Sequence, residues 1–181
     1  MLGRDVFVAS NGDVFVSDGH GGATNARIVK FSKEGTFVAA WGKRGSGPGE
    51  FALPHALAMD SAGRLFVADR GNNSIEIFDQ DSKFIAEWKQ FGRPSALFID
   101  KNDILYCTDS ESTRAVNRGF RRGLTIGSAT DGTVTTFIPA PFSGGQAAGA
   151  RQWGEAVAVD DDGNIYMGMN GTKGVERYAR R

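Results

Sequence analysis

The chain holds one cysteine, five prolines and two histidines in 181 residues. A single cysteine, Cys107, excludes an intramolecular disulfide. It lies in the apolar run "ILYCTD", where a small buried side chain is the expected role and no partner base is evident in the sequence. No stretch approaches the roughly 20 apolar residues that a bilayer-crossing helix needs, so no membrane span is expected. The opening "MLGRDVFVAS" has no apolar h-region, so no signal peptide is read in it. Neither sign of charge is in excess, with 21 Lys and Arg against 21 Asp and Glu. That balance leaves no footprint for nucleic acid or an anionic membrane. The one locally basic run, Arg114 to Arg122, reads as a solvated loop. Helical apolar spacing is lacking in every window of a dozen residues. No Gly-rich loop between a strand and a helix is present, so nucleotide binding is not indicated.

Gly is plentiful at 25 residues and Phe at 13, a mixture that suits many short strands joined by tight turns. The strands repeat. "NGDVFVSDG", "AGRLFVADR" and "KNDILYCTDS" each give a turn, an alternating apolar run and then Asp18, Asp69 or Asp109. A fourth copy, "DGNIYMGMN", places Met169 where the aspartate would fall. The spacings are 51, 40 and 60 residues, so insertions vary around a unit near 40. Outer positions repeat too: Phe31 and Phe78, Phe37 and Phe84, and Trp41 and Trp88 are each 47 residues apart.

Each unit contains several strands of four to six residues, as in "ALAMD", "RLFVAD", "SIEIFD" and "KFIAEW". A four-stranded sheet has two apolar faces and cannot keep both from water alone. Stacking such sheets face to face does so, and the pattern predicts an all-β fold, a β-propeller of four-stranded blades. Four blades are expected, at 4–42, 52–90, 94–140 and 154–181, within one domain spanning 1–181. The recurring aspartates have a structural reading, since a carboxylate at a strand end accepts hydrogen bonds from N–H groups of the following turn. Trp41 and Trp88, at outer-strand ends, are expected to pack between blades. "SESTRAVNRGFRRG" and "APFSGGQAAGARQWG" are long loops that could border a ligand.

"GRLFVADRGNNSIEIFD" and "GDVFVSDG…ARIVKFSKEGTFVAAWG" resemble NHL repeats. "GEFALPHALAMD" and "VADRGNNSIEIFD" further resemble the propeller of peptidyl-α-hydroxyglycine α-amidating lyases, and more closely bacterial lyase-like NHL proteins. The lyase-like match is strongest over residues 5 to 88. The resemblance implies a six-bladed ring, a zinc held by three histidines, a structural calcium, and an active-site tyrosine and arginines. A zinc with three protein ligands and an open position activates water or polarises substrate. On this resemblance His55 matches a zinc ligand and Arg70 an active-site arginine. His20 falls at the tyrosine's position, Glu155 at that of another zinc histidine, and Ala156 at that of a calcium-binding aspartate.

Only one of three zinc histidines is thereby kept. The reading favoured is a non-catalytic NHL-repeat propeller that binds an unknown protein, peptide or small ligand on its loop face. No cofactor is expected. The alternative is a metal-dependent amidating-lyase-like enzyme with an atypical site, with Arg70 and His20 catalytic and His55 and Glu155 on zinc, calcium being the less favoured metal. Four units in place of six suggest a chain truncated relative to the ring, which self-associates through open blade faces. The parent protein is expected to be exported, although no signal peptide is read here.

Overall fold

The computed structural model describes residues 3–19, 25–141, 154–169 and 174–179. All regular structure there is β, in fifteen strands forming four antiparallel sheets. The first sheet runs β1 (Gly3–Val8), β2 (Val14–Asp18), β3 (Arg27–Phe31) and β4 (Phe37–Trp41). The second runs β5 (Pro54–Met59), β6 (Leu65–Asp69), β7 (Ser74–Phe78) and β8 (Phe84–Trp88). The third runs β9 (Pro94–Ile99), β10 (Ile104–Asp109), β11 (Gly123–Ser128) and β12 (Val134–Pro139). The fourth has three strands among the described residues: β13 (Ala156–Val159), β14 (Ile165–Met169) and β15 (Gly174–Tyr178). Every strand pairs with its sequence neighbour within its sheet, which is the meander of a propeller blade. The chain divides into two compact units, Met1–Lys89 and Gln90–Arg181, each carrying two sheets.

One turn recurs between the first two strands of all four sheets. The N–H of Gly12, Gly63, Asp103 and Gly163 donates to the carbonyl three residues earlier, at 2.9 to 3.0 Å. That residue takes a left-handed φ each time, +89°, +77°, +56° and +81° in order. Glycine has no Cβ to oppose it, and aspartate is among the few other residues that tolerate it. At the turn's start, Asp60, Asp100 and Asp160 each accept an N–H bond from the residue four positions on, at 2.8 to 3.0 Å. The turn chemistry therefore fixes the register that the apolar alternation requires.

In the first unit, Phe15 and Ile28 of the first sheet meet Leu57, Leu65, Val67 and Phe78 of the second. Phe15, Ile28, Leu65 and Val67 are fully buried, and each such side chain contributes roughly 1.5–3 kcal/mol. Trp41 bridges the two sheets, with its ring 6.3 Å from Phe15 and 6.1 Å from Phe78. Trp88 packs on Phe66 of its own sheet, at 5.5 Å. In the second unit, Tyr106 and Leu124 of the third sheet pack with Ile165, Met167 and Met169 of the fourth. Met169 stands in the register of Asp18, Asp69 and Asp109, and there a thioether fills apolar space instead of binding a loop. The face-to-face stacking that the repeat demanded is thus present within each unit.

Candidate functional site

In the second and third sheets, the aspartate ending the second strand ties the segment before the first strand to the turn after the second. Asp69 accepts N–H bonds from Ala52 at 3.0 Å and Leu53 at 2.8 Å, both of which precede β5. It also accepts from Asn72 Nδ2 at 2.6 Å, beyond β6. Asp109 repeats the design, taking the Arg93 N–H at 2.9 Å, the Ser112 N–H at 2.8 Å and the Ser112 hydroxyl at 2.5 Å. Asp18 accepts from Asn25 Nδ2 at 3.1 Å and Arg27 Nε at 3.0 Å. Burial pushes the carboxyls of Asp69 and Asp109 above their ordinary range, and the donated N–H bonds oppose that shift.

This frame presents two positions of interest at one edge of each sheet. The first lies at the start of the first strand. In β5 the pairing shifts between Pro54, opposite Asp69, and Ala56, opposite Ala68, so His55 occupies a β-bulge. Ser95 lies at the same irregularity in β9, between Pro94 and Ala96. Glu155 immediately precedes β13, and its N–H donates to the Gly168 carbonyl at 3.1 Å. Bulges re-aim side chains and recur beside functional sites. The second position follows the aspartate: Arg70 in the second sheet and Ser110 in the third.

His55 and Arg70 are both buried, at 6% and 5% exposure. The His55 carbonyl accepts the Ser17 hydroxyl at 3.3 Å, and the Arg70 N–H donates to the Leu53 carbonyl at 3.0 Å. The Pro54–Asp69 pairing therefore brings the two residues to one corner of the second sheet. In the second unit, the Ser110 hydroxyl donates to Glu155 Oε1 at 2.7 Å and lies 2.6 Å from the Ser95 hydroxyl. Because the Ser110 proton is committed to Glu155, Ser95 donates to Ser110. The result is a buried hydroxyl chain ending on a carboxylate. His20 lies outside the described residues, as does most of the Gly- and Ala-rich segment, over 142–153.

Ser95 and Ser110 were not singled out from the sequence. Alignment of "LPHALA" with "RPSALF" would have marked Ser95 as the counterpart of His55. Glu76 was missed as well. It is 1% exposed on β7, and its Oε2 accepts the Gly49 N–H at 2.9 Å from the segment joining the first two sheets. Burial, with the nearby carboxylates of Asp69, Glu87 and Glu50, pushes its carboxyl up to about 7 against the opposing Gly49 hydrogen bond. Nothing in an alternating strand motif signals a carboxylate held in that state.

Among the described residues, no three His, Cys, Asp or Glu side chains are grouped so as to hold a metal ion. Cys107 is buried and its thiol is pushed well up by desolvation, which opposes the thiolate that a ligand or nucleophile requires.

Four repeated antiparallel sheets, a recurring aspartate staple and face-to-face apolar packing define an NHL-repeat β-propeller. Residues 8–129, about two thirds of the chain, match the family described as 6-bladed beta-propeller, and the chain belongs to that family. It is similar to NHL repeat-containing protein 3 of Homo sapiens, 43% identical over 86 residues that cover 46% of this chain and 23% of that protein. It is also similar to peptidyl-glycine alpha-amidating monooxygenase B of Xenopus laevis, 33% identical over 173 residues that cover 87% of this chain and 18% of that protein. The chain thus spans less than a quarter of either relative. Among solved structures, it superposes on a catalytically inactive virginiamycin B lyase variant from Staphylococcus aureus with a TM-score of 0.66 at 14% identity. That match covers 98% of this chain and 55% of the other, and at such identity it speaks for the fold alone. Among the described residues, no helix is long and apolar enough to cross a membrane.

Proposed function

We propose that the chain is a non-catalytic propeller module that binds a protein, peptide or small ligand along the loop edge of its blades. One observation carries this reading. The positions that hold the edge together repeat as aspartate and strand. The positions beside them change, from His55 to Ser95 to Glu155 and from Arg70 to Ser110. A fixed frame carrying varied polar groups is how a repeat scaffold tunes recognition without disturbing its fold. The exposed valines of β1, Val6 at 59% and Val8 at 60%, and Val175 of β15 at 71% support association of copies as part of the same reading.

A zinc-dependent lyase is the second reading. The shared corner of His55 and Arg70 favours it, together with the similarity to an amidating monooxygenase. In that reading Arg70 and His20 contact substrate and His55 and Glu155 reach the metal, with calcium as a structural ion. A fluorescein-labelled peptide ending in α-hydroxyglycine separates the two. The binding reading expects an anisotropy rise that Arg70→Ala weakens, with glyoxylate at the blank rate whether or not zinc is added. Zinc-dependent glyoxylate release that His55→Ala abolishes would establish the lyase instead.

A further inference from the structure

The connection between the second and third strands differs sharply in length between sheets. It has four residues in the second sheet (70–73) and thirteen in the third (110–122). The added chain carries Arg114, Arg118, Arg121 and Arg122, and its one acidic residue, Glu111, is engaged by Arg93 Nε at 2.9 Å. Elsewhere among the described residues several cations are matched, as in Arg27 with Asp18, Lys30 with Asp13 and Arg64 with Asp60. Among the described residues, none of the four loop arginines makes an ion pair with a carboxylate. In a chain of zero net charge, that concentrates positive charge on one loop, without a paired carboxylate among the described residues.

The loop is also built. The Thr113 hydroxyl accepts the N–H groups of Ala115 at 3.2 Å and Val116 at 3.0 Å, and the Thr113 N–H donates to the Val116 carbonyl at 2.8 Å. Asn117 takes a φ of +57°, and its side chain donates to the Ser112 hydroxyl at 3.1 Å, which itself donates to Asp109. Arg121 is seated 5.5 Å from the Phe137 ring, and the buried Arg122 Nε has no hydrogen-bond partner among the described residues. On this frame Val116 and Phe120 stand 43% and 38% exposed among the cations.

We propose that residues 110–122 form a docking loop for an acidic peptide segment that also carries apolar side chains. The inference rests on the reading of the loop edge as a binding surface. Guanidinium groups pair with carboxylates through parallel N–H bonds, and Val116 and Phe120 supply apolar contact between those pairs. A nucleic acid is the poorer fit, because one short loop reaches few phosphates and the balanced remainder of the chain adds no basic track.

The test uses the full chain and a fluorescein-labelled peptide of about twelve residues, rich in glutamate with leucine at every fourth position. Binding is read by anisotropy at about 50 mM and about 200 mM salt, since screening separates a charge-driven contact from an apolar one. The expected result is binding that weakens with salt, weakens about tenfold or more in Arg114→Glu/Arg118→Glu, and weakens severalfold in Phe120→Ser. In the wild-type chain, the peptide slows trypsin cleavage after Arg114 and Arg118, a readout independent of whether the variants fold. Unchanged affinity in a folded double variant, or cleavage indifferent to the peptide, overturns the proposal. So does tighter binding of an oligouridylate RNA, which would mark a nucleic-acid loop. Binding lost in Arg70→Ala but kept in the double variant would remove the docking loop while leaving the module reading intact.

Discussion

Glu76→Gln tests the electrostatics of the first unit most directly. In the folded chain the Glu76 carboxyl is pushed up to about 7 from its ordinary 4.5, chiefly by burial. The folded form thus holds a proton that the unfolded form has already released between those two values. Over that window the unfolded chain binds fewer protons, so stability falls as pH rises from about 4.5 to about 7 and then levels. At about 1.4 kcal/mol per unit, the accumulated cost above neutrality is on the order of 3 kcal/mol. Glutamine keeps a carbonyl that can accept the Gly49 N–H and carries no ionisable proton, so it imitates the protonated acid at every pH. The variant should therefore match wild type to within about 1 kcal/mol at pH 5 and exceed it by about 3 kcal/mol at pH 8. In thermal melts that is a rise of about 6–12 °C at pH 8, at roughly 2–4 °C per kcal/mol. Asp109 shifts in the same direction but is common to both proteins and cancels in the difference, whereas the repulsion between Asp69 and Glu76 is relieved in the variant and is part of the expected gain. A difference that stays flat between pH 5 and pH 8, or a variant less stable at pH 8, would refute this account of Glu76.

Two further substitutions probe packing and polar satisfaction. Gly42 has a φ of +91°, and a Cβ there would overlap the ring of the fully buried Phe51. Gly42→Ala should cost about 2–4 kcal/mol from the left-handed backbone and the crowding together, read as a lowered urea midpoint. Glu155→Ala would leave the Ser110 and Ser95 hydroxyls without their terminal acceptor. It should cost about 1–3 kcal/mol in the second unit, whereas Glu155→Gln, which still presents a carbonyl to Ser110, should cost less in the same titration.

The fold was readable because its signals are local and repeat. A left-handed turn residue at Gly12, Gly63 and Gly163, an alternating strand and a closing aspartate identify a blade without knowledge of its neighbours. The aspartate's partners were readable only in part. A hydrogen bond to the following turn is local, and Asp69 makes one through Asn72. Its bonds to Ala52 and Leu53 cross 16 or more residues and depend on how β5 enters the sheet. The hydroxyl chain from Ser95 to Glu155 crosses 60 residues and involves types common in any loop, so nothing in the linear pattern set it apart.

The proposed reading puts binding and stability on adjacent residues with little shared chemistry. Asp69 and Asp109 are tied up by main-chain donors and so are committed to the fold. The residue following each of these aspartates and the residue at the bulge of β5 and β9 lie outside the regular strand register, and they change type from repeat to repeat. Met169 marks the boundary of that division. Where the aspartate gives way to Met169, the side chain joins the core with Ile165 and Met167. The position beside the fourth sheet's first strand is then set by other means, through the Glu155 N–H on Gly168 and the Glu155 carboxylate on Ser110 of the neighbouring third sheet. In that blade, the residue that the proposed reading offers to a ligand also fastens two sheets together. Substitutions at Glu155 should therefore change binding and stability jointly, whereas substitutions at the exposed loop arginines should change binding alone.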